Sequence, residues 1–192
     1  KNLGLIIIDE QHKFGVKQRF ELAKKGGNNC DVLLMSATPI PRTMMMALYG
    51  DMDISKIKEK PANRKKIITL SKPEDKINEL WPFLRKQIDN KKQIFWVCPL
   101  IDDSSFLDYS SVKKKFDLIN KKFPNQVGLV HGSLSKEEKE NILKKFLSKK
   151  ISILVSTTVI EVGVDFPDAT LIVIENSNKY GLAQLHQLRG RV

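Results

Sequence analysis

Leu5, Ile6, Ile7 and Ile8 form an unbroken apolar run, and two carboxylates, Asp9 and Glu10, follow it without a spacer. Four apolar residues in a row describe a buried strand of a parallel sheet, because such sheets are covered on both faces. Charge at the end of that strand marks the edge where α/β sheets open a ligand crevice. Further apolar runs at 32–35, 67–70, 94–97, 127–130, 151–155 and 171–174 are separated by stretches with helical spacing. Strands alternating with helices in this way predict βαβ units and a parallel sheet.

The helical stretches carry local signals. One is expected around 18–25 and another to open near Pro41. Residues 74–88 place Ile77, Leu80, Leu84 and Ile88 on one face, and Pro82 within them is expected to kink or split the helix at ~3 kcal/mol unless packing compensates. Ser135 and Glu138 fit an S-x-x-E capping box, with Ile142, Leu143, Phe146 and Leu147 on one face beyond it. The charged, proline-broken segment 56–66 reads as a linker. It divides the chain into a first unit, 1–66 with that linker, and a second, 67–192.

The formal charge is +11, which suggests a polyanionic partner. Only six of the 33 basic residues are arginine, however, and there are 11 asparagines, a bias that an AT-rich genome produces by itself. Lys113-Lys114-Lys115 and Lys144-Lys145 are therefore read as solvated helix faces. Cys30 and Cys98 lie too far apart to form a metal-ligand pair and are expected as buried or half-buried free thiols. No apolar stretch nears the ~20 residues that cross a bilayer, so the expected location is cytoplasmic, with no membrane partner.

Four motifs follow in order. After Asp9-Glu10-Gln11-His12 come Ser36-Ala37-Thr38-Pro39-Ile40-Pro41-Arg42-Thr43, then Thr157-Thr158-Val159-Ile160-Glu161-Val162-Gly163-Val164-Asp165, then Gln184-Leu185-His186-Gln187-Leu188-Arg189-Gly190-Arg191. Their order resembles motifs II, III, V and VI of superfamily 2 helicases. Tyr49-Gly50-Asp51-Met52-Asp53-Ile54-Ser55, Pro99-Leu100-Ile101, Val162-Gly163-Val164-Asp165 and Ile174-Glu175-Asn176 are more similar to the RecG group than to the transcription-repair coupling factors, which share the first, second and fourth motifs.

The resemblance implies RecA-like P-loop NTPase lobes with parallel sheets, the first truncated, and an ATP-dependent DNA helicase that remodels stalled forks and Holliday junctions. Its cofactors are ATP and Mg²⁺, and its partner is branched duplex DNA. By position in the motifs, Asp9 holds Mg²⁺ through water, and Glu10 orients and deprotonates the attacking water. Gln11 and His12 sense the γ-phosphate. Ser36 and Thr38 couple hydrolysis to DNA, while Pro39 and Pro41 stiffen the turn and Met44, Met45 and Met46 fill core. Gly163 and Asp165 approach the nucleotide, Gln187 supports it, and Arg191 is an arginine finger. Thr157 and Thr158 contact DNA phosphates, whereas His131 reads equally well as an ordinary turn residue.

No Gly-Lys pair occurs, so the phosphate-cradling loop G-x-x-x-x-G-K-[ST] is absent. With that loop and an N-terminal wedge domain missing, the chain is expected to be an inactive fragment of a larger motor. Two other readings stay open. One is the motor of a transcription-repair coupling factor, and the other is a hydrolytically silent DNA-binding module.

Overall fold

The computed structural model describes residues 3–10, 15, 18, 21–22, 24–25, 30–36, 53–57, 59, 66–99, 105–157, 166 and 169–192, with side chains of the 105–122 helix from Val112 onward. The chain divides into two compact units, Lys1–Ala62 and Asn63–Val192.

In the first unit, β1 (Leu5–Ile8) pairs in parallel with β2 (Asp31–Leu34), Ile6 opposite Val32 and Ile8 opposite Leu34. The ladder runs past both strand ends, through Asp31 N–H to Gly4 O and Met35 N–H to Ile8 O at 2.8 Å. The strand expected to be covered on both faces is covered on one: Ile6 and Ile8 are buried, while Leu5 and Ile7 are more than half exposed. Side chains alternate across a pleat, and the described packing reaches only the even-numbered face of this two-stranded ribbon. Gln18, Glu21, Leu22, Lys24 and Lys25 are helical, as their spacing predicts. The helix expected near Pro41 and the three methionines at 44–46 lie outside the described residues.

The second unit is built around a four-stranded parallel sheet in the order β4-β5-β3-β6, with β3 at Gln93–Val97, β4 at Val127–Val130, β5 at Ile153–Ser156 and β6 at Ala169–Ile174. The helices are α1 (Leu80–Asp89), α2 (Ser105–Lys122), α3 (Lys136–Leu147) and α4 (Leu182–Arg189). A strand expected at 67–70 is not formed. Ile68 and Leu70 are about four-fifths exposed, at 81% and 79%. β-branched residues favour a strand only where a neighbouring strand and a buried face exist, and among the described residues this segment has neither.

The helix expected to kink or split at Pro82 divides just before it. It starts as a 3-10 turn at Glu74–Glu79 and becomes α-helical at Leu80. Pro82 is then the third α-helical residue, inside the first turn, where backbone N–H groups have no intrahelical acceptor to lose. The cost is avoided by moving the boundary. Leu84 and Ile88 are buried, and Ile77 and Leu80 pack beside them.

The sheet separates two cores. On one face Ile94, Trp96 and Cys98 of β3 and its extension meet α1 and α2 through Leu84, Ile119 and Phe123. Trp96 stacks on Trp81, ring centroids 5.6 Å apart and 12° from parallel. On the other face Phe95, Phe146 of α3 and Phe166 form a triangle of rings with centroids 5.4 to 5.5 Å apart. The capping box of α3 is formed: Glu138 N–H donates to Ser135 Oγ at 3.2 Å, and Ser135 N–H to Glu138 Oε2 at 2.8 Å. The second of these bonds is the largest reason that the Glu138 carboxyl lies below its usual range.

Candidate functional site

β1 and β2 end side by side, so Asp9, Glu10 and Ser36 share one carboxyl edge. The backbone reverses sharply there. Glu10 has φ 47°, in the left-handed region, and its N–H donates to Asp9 Oδ1 at 2.8 Å. A left-handed conformation costs a residue with a Cβ about 1–2 kcal/mol. Such strain persists where the surroundings hold it, and it clusters at active sites. The Asp9 carboxylate caps this turn by accepting the Glu10 N–H. Asp9 is exposed and Glu10 half-buried. Gln11, His12 and Thr38 lie outside the described residues, as do Thr158, Gly163 and Asp165.

In the second unit, Thr157 follows β5 directly and is buried, beside Ser156, whose Oγ is buried without a hydrogen-bond partner among the described residues. Arg191 lines a hollow of about 20 Å³ together with Phe95, Val97, Ser156, Phe166, Ile172 and Leu188. That volume holds about one water. α4 sets this position. Its first turn is closed by Gly181 N–H donating to Gln184 Oε1 at 3.2 Å, Leu188 is buried as its anchor, and Arg191 N–H returns to Leu188 O at 3.1 Å. Gln187 is half-buried on the same short helix, and Arg191 is exposed. The unit thus brings Thr157 and Arg191 to the carboxyl side of its sheet, with Gln187 on the helix that precedes Arg191.

A neighbouring polar cluster leaves no mark on the sequence. Glu175 follows β6 directly, and Lys115 Nζ of α2 lies 2.8 Å from its Oε1, with both side chains largely covered. Cys98 Sγ donates to Glu175 Oε2 at 3.8 Å, and Glu175 N–H donates to Val97 O at 2.9 Å. Burial, and after it the Glu175 charge, pushes the Cys98 thiol up to about 12 against a smaller opposing pull from Lys115. Burial, then Cys98 and Glu175, also raises the Tyr180 phenol. Lys115 is hidden in a lysine run expected to be solvated throughout. Its neighbours Lys113 and Lys114 are exposed, so the solvated reading fails at one residue in three. The helical period turns that residue inward. His131, half-buried after β4, has its imidazole held below the usual value by burial first and by nearby Lys139 second.

Cys30 and Cys98 are free thiols, half-buried and buried. Among the described residues no three acidic, histidine or cysteine side chains form a metal-binding group. A single carboxylate suffices for Mg²⁺, which keeps most of its waters and binds proteins through one or two carboxylates. Asp9 fits that requirement: it is exposed at a strand end, and one of its oxygens is committed to Glu10 N–H. No helix among the described residues is long and apolar enough to cross a membrane.

Comparison with known proteins places this geometry. The model of the helicase conserved C-terminal domain matches residues 75–192. The ATP-dependent DNA helicase RecG of Thermotoga maritima is 52% identical over 194 residues, covering 100% of this chain and 25% of that protein. A solved structure of RecG bound to a three-way DNA junction aligns with 100% of the chain and 24% of its own, at 46% identity and a TM-score of 0.71. S. cerevisiae Dbp5 bound to RNA and ADP BeF3 aligns with 100% of the chain and 51% of its own at a TM-score of 0.62 but 15% identity, a likeness of fold alone. The chain spans about a quarter of the length of the RecG proteins it matches. Its parallel sheets are those of RecA-like helicase lobes, and the chain belongs to the helicase conserved C-terminal domain family, similar to RecG along its whole length.

Proposed function

We propose that the full-length gene product carrying this chain is an ATP-dependent DNA helicase that remodels branched duplex DNA, with Asp9, Glu10 and Arg191 acting on one nucleotide. The observation that carries this reading is the strained turn at Glu10, clamped by Asp9 at the end of a parallel strand. The RecG structure on a three-way junction supports DNA branches as the substrate. A helicase that remodels branched DNA would act in the cytoplasm.

Hydrolysis of a terminal phosphate requires a positioned water and neutralisation of charge on the transferring group. Asp9 would hold through water a Mg²⁺ ion, which would supply positive charge against the phosphate oxygens. Glu10 accepts the proton of the attacking water, and its left-handed backbone fixes where that carboxylate stands. Gln11 and His12 read the γ-phosphate, and Gly163, Asp165 and Gln187 approach the nucleotide. Arg191 stabilises the transferring phosphoryl group, a contribution on the order of 10³ to 10⁵ in rate. Ser36 and Thr38 couple hydrolysis to DNA, and Thr157 and Thr158 are the proposed contacts to the DNA phosphates. The expected units are residues 1–66, part of a first lobe with its linker, and 67–192, the second lobe. The phosphate-cradling loop and a branch-sensing wedge belong to other parts of the full-length product.

The test is steady-state ATP hydrolysis by the full-length product with fork DNA, linear duplex or no DNA, beside Glu10→Gln. Fork-stimulated turnover that drops about 10² to 10⁴-fold in the variant is the expected result. Turnover indifferent to branching would replace the reading with a general duplex translocase. No turnover at all would replace it with a silent DNA-binding module.

A further inference from the structure

In a parallel βα arrangement each helix runs back against its strand, so the helix C-termini return to the amino edge of the sheet, where the next strand starts. Here α1, α2 and α3 lead into β3, β4 and β5. Their ends are tied to one another. Arg85 Nη2 of α1 donates to Lys122 O at the end of α2, and its guanidinium lies 4.6 Å from the centre of the Phe123 ring. Gln93 Nε2 at the start of β3 donates to Phe146 O at the end of α3, and Ser152 N–H donates to Gln126 O at 2.8 Å. Lys121-Lys122, Lys144-Lys145 and Lys149-Lys150 are consequently gathered on one edge, and all six are exposed. Lys91 and the half-buried Lys92 precede β3 on the same edge. Asp89 is the carboxylate beside them, with Asp117 and Glu140 one turn before Lys121 and Lys144.

Cations in the last turn of a helix offset its dipole, which accounts for a lysine or two per helix. It does not account for Lys91 and Lys149. Each lies just past its helix in the left-handed conformation, φ 58° and 59°, where glycine is the unstrained choice. Lys91 N–H bonds to Ile88 O and Lys92 N–H to Gln87 O, while Lys149 N–H bonds to Phe146 O and Lys150 N–H to Lys145 O. These are complete Schellman ends with a lysine in the glycine position twice over.

We infer that this amino edge is a second phosphate-binding face that grips duplex DNA on the side of the sheet opposite Thr157 and Arg191. The inference rests on the reading that the protein works on DNA. Lysine point charges on a rigid edge suit a duplex backbone, which presents a charge every ~1.7 Å. A protein partner is favoured by arginine and aromatic anchors, and single strands by exposed aromatic platforms. The aromatics here, Phe123 and Phe146, are buried, and Arg85 is engaged within the fold.

Fluorescence anisotropy of a labelled blunt duplex, measured across a KCl series with the full-length product, tests the face. The quadruple variant Lys121→Gln, Lys122→Gln, Lys149→Gln, Lys150→Gln is expected to flatten the slope of log Kd against log salt by roughly 2 to 3, at about 0.9 for each phosphate no longer neutralised. The same four positions changed to arginine keep the wild-type slope, and DNA-free ATP hydrolysis is unchanged in both variants. An unchanged slope in the glutamine variant overturns the inference. So does a variant that keeps the duplex slope but no longer binds poly-glutamate, which would make the face a docking site for acidic protein. Because hydrolysis is read separately on forks, loss of the face leaves the motor reading standing, and loss of fork-stimulated hydrolysis leaves the slope to be judged alone.

Discussion

Glu10 shows how far residue identity goes in a sequence. The Asp9-Glu10 pair after an apolar run marks a strand end, but nothing in the letters shows that Glu10 takes φ 47°. Backbone conformation at one residue depends on the hydrogen bond from its own N–H to Asp9, which only the folded turn supplies. If the strain is held for function, Glu10→Gly should unfold at higher temperature than Glu10→Ala, by about 1 kcal/mol of stability, while both lose hydrolysis. Thermal melts of the two variants decide it. Cys98 is expected from sequence as a covered thiol, yet its acidic neighbour 77 residues away is invisible there. Its thiol titrates ordinarily at 9.0 and at about 12 in the fold, so the folded chain holds this proton more tightly. The stability from that difference is complete below pH 9 and is lost as pH rises from 9 towards 12. Denaturant unfolding between about pH 9 and 11 should therefore fall more steeply for wild type than for Cys98→Ala, by at most about 1.4 kcal/mol per pH unit.

Secondary-structure elements are legible where the signal is local. The α3 capping box uses two side chains three residues apart, and both bonds form where the S-x-x-E pattern places them. Ser135→Ala should cost about 1 kcal/mol in chemical denaturation, with Ser135→Asp restoring most of it. Elements whose existence needs distant partners are not legible. Residues 67–70 have strand composition, but no strand among the described residues stands beside them, and they remain exposed or half-exposed. Pro82 looks like an interruption because sequence spacing cannot say where a 3-10 turn gives way to an α-helix. Lys115 looks solvated because its pairing depends on where β6 delivers Glu175.

For the molecule as a whole, alternating apolar runs and helical stretches are enough to fix a parallel α/β architecture, and four ordered motifs are enough to fix the helicase family. The strand order β4-β5-β3-β6 is beyond reach, because crossover connections leave no mark on spacing. The candidate site is readable as a set of residue types and not as geometry. Its carboxylates belong to the first unit, and Thr157, Gln187 and Arg191 to the second. The central claim is that Glu10 and Arg191 serve one hydrolytic event, and a double-mutant cycle on single-turnover ATP cleavage by the full-length product tests it most directly. Groups that act as a unit are grossly non-additive, so Glu10→Gln with Arg191→Ala should be about as slow as the slower single variant. Losses that simply multiply would mean that the two residues act in independent steps, and would contradict the account.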